Sequence, residues 1–221
     1  MRRHQLEHAI RTACQIIQHP EVIVVGSQAI LGTYQESQLP TAATMSIEVD
    51  ILPIADTHAE TARLADLIEG VAGEFSSFEE LHGFSIDGVD LDTAVLSEGW
   101  RDRLIKVQNA NTAAPSGSPQ FTGWCLDKED LCVAKLIAFR EKDLNFASSL
   151  LRANLVNADL IGLRLGTVSR QGSISQQSSR HSHGSTRRAE VPPRKVRSAY
   201  RSTGSDHLPK VHSSAEMSAA W

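Results

Sequence analysis

The sequence lacks several features that would place it in a familiar class of protein. Its apolar runs are too short to cross a membrane and it shows no signal peptide, so we expect a cytoplasmic protein without a membrane partner. It has only three cysteines, Cys14, Cys125 and Cys132, with neither CxxC nor metal-ligand spacing. An odd number of scattered cysteines indicates reduced thiols rather than a disulfide framework or a zinc site.

Two common nucleotide-binding motifs are also missing. The chain has no GxxxxGK[ST] stretch, which excludes a Walker A phosphate loop, and no GxGxxG stretch, which excludes a dinucleotide-binding fingerprint. Any binding of nucleotide must therefore depend on a different arrangement of residues.

Positive charge is scarce in most of the chain. Residues 1–165 contain 13 Lys and Arg against 23 Asp and Glu, a net charge of −10, whereas residues 166–221 have a net charge of +6. An acidic body argues against a broad surface for nucleic acid, although a local basic groove is still compatible with it.

The most informative motifs of the sequence lie in the stretch 21–53. An unbroken β-branched run over residues 22–25 predicts a strand that is buried on both faces. Gly26 then permits a tight turn, and Ser27 falls at the start of a short helix. A hydroxyl beside free backbone N–H groups is a favourable place for a phosphate, so this turn is a candidate nucleotide-binding site.

The second strand of this stretch, residues 46–52, carries two acids on one face. Because side chains alternate along a strand, Glu48 and Asp50 lie side by side, opposite the apolar residues Ile47, Val49 and Ile51. Two neighbouring carboxylates repel each other unless a cation lies between them. The pair therefore predicts a site for Mg²⁺ or Mn²⁺.

The surrounding sequence alternates between helical and strand periodicity. A helix is predicted over residues 1–18, and a second helix, capped by Thr57, runs to about residue 71. Residues 84–91 predict a β-hairpin with a type I′ turn at Asp87-Gly88. Together with the central strands, these elements predict an α/β (α+β) fold with a small mixed sheet flanked by helices.

The remainder divides the chain into four parts. Residues 1–108 are predicted to form the core, and residues 109–126, rich in Asn, Pro, Gly and Ser, a linker or mobile loop. Residues 127–165 are helical, with one long helix over 128–151 and a short last helix. Residues 166–221 have almost no aliphatic pattern, which predicts a disordered tail that either binds nucleic acid or has no selected function.

The motifs together resemble the nucleotidyltransferase superfamily of DNA polymerase β type. The turn in VVGSQAILG, the acids in SIEVDILP and the later KLIAFREKDLNFA are most similar to bacterial AbiEii-type toxins and minimal nucleotidyltransferases. The resemblance covers roughly residues 1–165. One residue departs from the pattern, because Glu48 stands where the family usually has Asp.

The resemblance implies further site residues on the long helix. It implies that Lys135 binds phosphate and that Asp143 contacts the base or Lys135. On one continuous helix these two residues are about two turns and 80° apart, which predicts neighbouring faces without direct contact.

The third acid of such sites, which deprotonates the attacking hydroxyl, is not fixed by a motif. Asp90 and Asp92 are both candidates, and both are equally compatible with a solvent-facing strand edge. Arg101 and Arg103 are candidates for binding a triphosphate, although exposed arginines often have no such role.

The function implied by the resemblance is transfer of a nucleotide from ATP or another NTP to tRNA or a protein, in a toxin–antitoxin setting. The alternative is a nucleotide-binding or antitoxin-like partner protein that keeps the fold and has lost turnover, for which Glu48 is an indication. The acceptor, the preferred NTP and the oligomeric state are not determined by the sequence.

Overall fold

The computed structural model describes residues 1–91 and 95–178, with side chains as far as Val168. Five strands are described: β1 (Glu21–Val24), β2 (Glu48–Pro53), β3 (Ser85–Gly88), β4 (Ile105–Val107) and β5 (Thr122–Cys125). The α-helices are α1 (Arg3–Ile17), α2 (Thr41–Thr44), α3 (His58–Ala72), α4 (Ser77–His82), α5 (Lys128–Ala138), α6 (Glu141–Arg152) and α7 (Ala158–Ser178). Short 3₁₀ helices cover Ser27–Gly32, Glu36–Gln38, Trp100–Arg103 and Ala110–Thr112.

The strands form one mixed sheet in the order β3-β2-β1-β5-β4, which confirms the predicted fold class. The pairs β2–β3 and β1–β5 are parallel, and the pairs β1–β2 and β4–β5 are antiparallel. The two strands predicted from residues 21–53 are therefore neighbours at the centre of the sheet, with helices packed around them.

The predicted burial of β1 on both faces is confirmed. Val22 and Val24 belong to the main hydrophobic core, whereas Ile23 and Val25 pack into a smaller cluster with Leu52 on the other face. Burial on both faces removes water from the whole strand, so β1 is a rigid base for the turn that follows it.

Helix α1 lies directly on the sheet through its predicted apolar stripe. Leu6, Ile10 and Cys14 are fully buried. A Cβ on Gly123 of β5 would come within 2.3 Å of Ile10 Cδ1, so glycine allows this close packing. Each such side chain contributes about 1.5–3 kcal/mol when buried.

The prediction of a linker over residues 109–126 is wrong. Asn109 and Asn111 donate hydrogen bonds to the buried carboxylate of Glu7 at 2.8 and 2.7 Å, which fixes this segment on α1. The segment then continues into β5, an inner strand of the sheet. The four-residue sequence of β5, Thr-Gly-Trp-Cys, is too short for its periodicity to be recognised.

The predicted hairpin over residues 84–91 is also wrong. Asp87 and Gly88 are the last residues of β3, which pairs in parallel with β2 rather than with the residues that follow it. A Cβ on Gly88 would lie 1.9 Å from the Ala65 carbonyl oxygen, so this glycine lets α3 approach the sheet and does not form a turn. The predicted extension of the strand falls partly on residues 92–94, which lie outside the described residues.

The single long helix predicted over residues 128–151 is broken into α5 and α6. Phe139 ends α5 in the left-handed conformation, with φ 53° and ψ 23°, and Arg140 is extended and begins α6. Neither glycine nor proline occurs at the break, so the usual sequence signals of a helix end are missing.

Helix α7 continues beyond residue 165, where the last helix was predicted to end. Val168 is 9% exposed and belongs to the main core, and the Thr167 hydroxyl accepts a hydrogen bond from the Glu98 amide at 3.2 Å. The last helix is therefore longer than predicted and includes residues 166–178, and the remaining part of the predicted disordered tail, 179–221, lies outside the described residues. Within the described part, no helix is both long and apolar enough to span a membrane.

A chain that ends after Gly166 should be less stable than one that ends after Arg180. The shorter chain loses the buried Val168 side chain and the Thr167 hydrogen bond, together worth about 2–3 kcal/mol. Thermal unfolding of the two truncated chains, side by side, measures the difference. Equal melting temperatures would show that the C-terminal part of α7 adds nothing to the domain.

Candidate functional site

A cavity of about 730 Å³ opens where three strands meet the break between α5 and α6. It is lined by acids and backbone from the sheet on one side and by α5 and Arg140 on the other. The lining residues are Val25, Gly26, Glu48, Asp50, Glu69, Asp87, Gly88, Val89, Val95, Leu131, Ala134, Lys135, Ile137, Ala138 and Arg140.

Glu48 and Asp50 both line this cavity, and Val49 and Ile51 are fully buried in the main core. The strand alternation predicted from the sequence therefore holds. Burial and the neighbouring charge of Glu48 raise the pKa of Asp50 to about 6, against the opposing effect of Lys135. The strand thus holds an acid whose ionised form is not fully compensated by the protein.

Gly26 is required for the position of Asp50. A Cβ on Gly26 would lie 1.5 Å from Asp50 Oδ2, and the Val25 amide donates a hydrogen bond to the Asp50 carbonyl at 3.1 Å. The turn after β1 and the second acid of β2 are therefore in contact, and only glycine leaves room for the carboxylate.

A third acid, Asp87, joins this pair from the neighbouring strand. In the parallel register of β2 and β3, Asp50 is the partner of Asp87 and Glu48 is the partner of Ser85. Burial, followed by a hydrogen bond with Glu48 and its charge, raises the pKa of Asp87 to about 8. Its Oδ1 atom is buried and has no hydrogen-bond partner in the described part of the chain.

Sequence reasoning missed Asp87 because Asp-Gly is a strong turn signal. A weaker signal pointed the other way. Phe84 and Ile86 alternate with Ser85 and Asp87, which is the same period-two pattern that places Glu48 and Asp50 on one face. Phe84 and Ile86 are almost completely buried, as this alternation requires.

The two acids proposed from the sequence for the third position are placed differently. Asp90 follows the end of β3 and is not among the cavity-lining residues, and Asp92 lies outside the described residues. Of the described acids other than Glu48 and Asp50, Asp87 and Glu69 line the cavity, and Asp87 is the strand partner of Asp50.

Lys135 and Asp143 are in direct contact, which corrects the expectation of neighbouring faces without contact. Lys135 Nζ lies 3.1 Å from Asp143 Oδ1, because the break at Phe139 folds α6 back against α5. Arg140 pairs with the same carboxylate, with Nε 2.6 Å from Oδ2. Burial would raise the pKa of Asp143, but the hydrogen bonds from Arg140 and Lys135 outweigh it and hold this pKa below its usual value.

Asp143 therefore holds two cations at the cavity wall. Its own side chain is 1% exposed and is not among the lining residues, whereas Lys135 and Arg140 are. Arg140 was not singled out from the sequence, and its side chain is 58% exposed. Lys135 and Arg140 line the same cavity as the carboxylates of the sheet, and the charge of Lys135 acts to lower the pKa of Asp50.

Ser27 has a smaller role in the geometry than the sequence suggested. It is the first residue of a six-residue 3₁₀ helix whose N-cap is Gly26, and no side-chain cap is formed there. Gly26 lines the cavity and Ser27 does not. Any contact of Ser27 with a bound phosphate stays a prediction.

The side chains of Arg103 and Arg101 make contacts within the fold, away from the cavity. Arg103 Nε lies 2.7 Å from Oδ2 of the fully buried Asp130, and Arg164 pairs with the same oxygen at 3.1 Å. The guanidinium of Arg101 lies over the Trp100 ring, 4.6 Å from its centroid. Neither arginine lines the cavity, so the interpretation as triphosphate ligands has no support in this geometry.

The donor set fits a hard cation that is bound together with a ligand. Glu48, Asp50 and Asp87 crowd three carboxylates at one place, and the buried Asp87 Oδ1 lacks a partner among the described residues. No group of three or more His, Cys, Asp or Glu in the described part is arranged to hold a metal by itself. Magnesium commonly takes one or two carboxylates and completes its shell with substrate phosphates and water.

Replacing Gly26 by alanine should damage the site more than the fold. The new Cβ forces the Asp50 carboxylate to move, because the two atoms cannot be 1.5 Å apart. A displacement of about 1 Å in a reacting group can cost on the order of 100-fold in rate. We expect a loss of this size in nucleotide transfer, with the melting temperature changed by only a few degrees. Gly70→Ala, at an exposed position of α3, is the matched control. Full activity in Gly26→Ala would show that Asp50 need not occupy its present position.

The fold and the cavity agree with the class that the sequence motifs indicated, the nucleotidyltransferases. Residues 4–180 match the family described as nucleotidyltransferase of unknown function (DUF6036), and because this match covers most of the chain, the protein belongs to that family. The match includes all of α7, beyond the residues that carried the motifs. Searches of curated proteins and of solved structures found no match.

Proposed function

We propose that this protein transfers a nucleotide from an NTP to a hydroxyl group of a macromolecular acceptor, tRNA or a protein, in a reaction that needs Mg²⁺ or Mn²⁺. One observation carries the proposal: three carboxylates from two adjacent parallel strands line one cavity together with the cations Lys135 and Arg140. Membership of a nucleotidyltransferase family supports the reaction class, and the geometry supports the roles given below.

Glu48 and Asp50 would hold the metal. When bound, the cation neutralises charge on the triphosphate and on the attacking oxygen. The rigid central strand keeps the two carboxylates at fixed spacing, and Gly26 leaves the space in which Asp50 lies. These residues therefore supply a preorganised negative site that a cation completes.

Asp87 would accept the proton of the acceptor hydroxyl. The hydroxyl oxygen attacks the α-phosphorus, the bond from that phosphorus to the bridging oxygen breaks, and pyrophosphate leaves. An acid with a raised pKa suits this role, because it can take up a proton near neutral pH. Its pairing with Asp50 in the register of β2 and β3 places it next to the proposed metal ligands.

Lys135 and Arg140 would bind the phosphates that leave. Both line the cavity, and Asp143 fixes both side chains at 3.1 and 2.6 Å. Positive charge beside the departing pyrophosphate stabilises the charge that develops on it. Asp143 acts through these two cations and is a positioning residue.

Incubation with labelled NTPs tests the proposal. The purified chain would be supplied with Mg²⁺ and, separately, Mn²⁺, together with a panel of RNAs that includes tRNA and a panel of proteins. Incorporation of label into an acceptor supports the proposal and identifies the acceptor class. Metal-dependent NTP binding with no incorporation into any acceptor would favour the alternative, a nucleotide-binding partner protein in which Glu48 has replaced the usual Asp.

The toxin–antitoxin setting is part of the same proposal and rests on the resemblance of the motifs. A toxin of this kind should arrest growth when it is expressed alone, and Asp50→Asn should remove that effect. Normal growth of cells that express active protein would contradict the toxin role and leave the transfer reaction unaffected.

A further inference from the structure

The break between α5 and α6 exposes an aromatic ring on a residue that lies, in sequence, between two cavity-lining residues and is not itself one of them. The side chain of Phe139 is 72% exposed, and its backbone is left-handed with φ 53°. The residues on both sides of it, Ala138 and Arg140, line the cavity.

The fold gains little from phenylalanine at this position. A left-handed backbone is unfavourable for residues with a bulky Cβ, and an exposed ring gives no hydrophobic stabilisation. Glycine would end the helix at lower cost. Four described residues other than glycine have positive φ, and one of them, Asn154, is of a type that is common in such positions. A strained residue that persists without a packing reason points to a function.

The residues near Phe139 in the sequence are of the types that bind a nucleotide. The Phe139 amide donates a hydrogen bond to the Lys135 carbonyl at 3.1 Å. Phe139 is therefore one helical turn after Lys135. The next residue is Arg140, whose guanidinium lines the cavity. The apolar residues that α5 contributes to the cavity lining are Leu131, Ala134, Ile137 and Ala138, and Phe139 follows the last of them in sequence. Phosphate-binding cations beside an apolar, aromatic surface match the two halves of a nucleotide.

We propose that the Phe139 ring stacks on a nucleobase at the mouth of the cavity. The inference rests on the proposed nucleotidyl transfer and adds the contact that holds the base. The base belongs either to the NTP or to a single-stranded end of a nucleic-acid acceptor, since both present the same flat π-surface. Because stacking does not read the edges of a base, this contact holds all four bases with similar strength.

The chain offers a matched control for this position. Phe75 is also phenylalanine with positive φ, at 62°, and is 90% exposed. Both neighbours of Phe139 line the cavity, whereas neither neighbour of Phe75 does. Phe75→Ala and Phe139→Ala therefore remove the same side chain from similar backbones. Phe139→Gly removes the ring and relieves the backbone, and Phe139→Trp keeps a stacking surface.

Binding would be measured by calorimetric titration in Mg²⁺ buffer with three probes: ATP, inorganic tripolyphosphate and a single-stranded oligoadenylate RNA of about ten nucleotides. Stacking of one base corresponds to a change in affinity of about 5- to 100-fold. We expect Phe139→Ala and Phe139→Gly to weaken ATP or the RNA by that factor. Tripolyphosphate, which has no base, should bind as it does to the parent.

The pattern of losses identifies the source of the base. A loss for ATP places the base of the NTP on Phe139, and a loss for the RNA alone places the acceptor there. Phe139→Trp should retain binding, Phe75→Ala should bind all probes like the parent, and Phe139→Gly should melt no lower than the parent. Unchanged binding of both ATP and RNA in Phe139→Ala would overturn the inference.

The same experiment separates this inference from the proposed function. If the parent binds none of the probes and transfers no nucleotide, then nucleotidyl transfer itself is wrong. If the parent binds and transfers nucleotide and Phe139→Ala does so equally well, only the role of the ring is wrong. An equal loss of ATP and tripolyphosphate affinity would also reject stacking, because it would show damage to the phosphate site.

Discussion

Asp50→Asn should remove nucleotide transfer while leaving the fold intact. Asparagine keeps the size of the side chain, but it lowers the charge at the proposed metal site. Metal ions in such sites contribute several kcal/mol to transition-state stabilisation, so we expect a loss on the order of 1,000-fold in kcat/KM. Transfer from a labelled NTP measures this loss, and metal-dependent NTP binding should weaken with it.

The same substitution should not lower stability. Asp50 has a raised pKa because burial and Glu48 disfavour its ionised form, so removal of that charge should stabilise the metal-free protein by roughly 1–3 kcal/mol at neutral pH. Asp66→Asn, an exposed change on α3, is the control and should affect neither quantity. Transfer by Asp50→Asn within about twofold of the parent would show that the carboxylate pair does not form a metal site.

Asp87→Asn should also reduce transfer, by about 100- to 10,000-fold, because it removes the proposed general base. The two acids should differ in binding. Asp87→Asn should still bind NTP in the presence of Mg²⁺, since Glu48 and Asp50 remain, whereas Asp50→Asn should not. If Asp87→Asn lost NTP binding to the same extent as Asp50→Asn, Asp87 would be a metal ligand rather than a base.

A second readout of Asp87→Asn is the pH dependence of stability. Folded Asp50 and Asp87 have pKa values of about 6 and about 8, above the ordinary aspartate value of 3.8, so the folded protein holds protons that the unfolded chain has released. The free energy of unfolding of the metal-free protein should therefore fall as pH rises from about 4 to about 8. Asp87→Asn should flatten the upper part of this curve, and Mg²⁺ should reduce the fall in the parent.

Other carboxyl groups give the opposite trend at lower pH. The pKa of Asp143 is held down despite burial by Arg140 and Lys135, and the pKa of Glu7 is held down despite burial by Asn111, Asn109 and Arg3. Their stabilisation is present above about pH 4 and is lost as pH falls through their folded pKa values. If the free energy of unfolding did not fall between pH 6 and pH 8, the carboxylates of β2 and β3 would not destabilise the folded state.

The amino-acid sequence alone determined the centre of the site. The β-branched run before Gly26 and the alternation of Glu48 and Asp50 with Val49 and Ile51 are local patterns, and a strand has only one way to display them. The cap Thr57 was equally local, and its side chain accepts the expected hydrogen bond from the Glu60 amide. Local patterns of this kind do not depend on the rest of the chain.

Only the tertiary structure decided which distant residues complete the site. Asp87 reaches Asp50 through parallel pairing of β2 and β3, which are separated by α3 and α4, and nothing in the local sequence fixes that register. Lys135 contacts Asp143 because the helix is interrupted at Phe139, where no glycine or proline marks a helix end in the sequence. Pairing between distant strands and a strained helix end are settled by the packing of the whole domain, because their free energy comes from contacts that no short stretch of sequence contains.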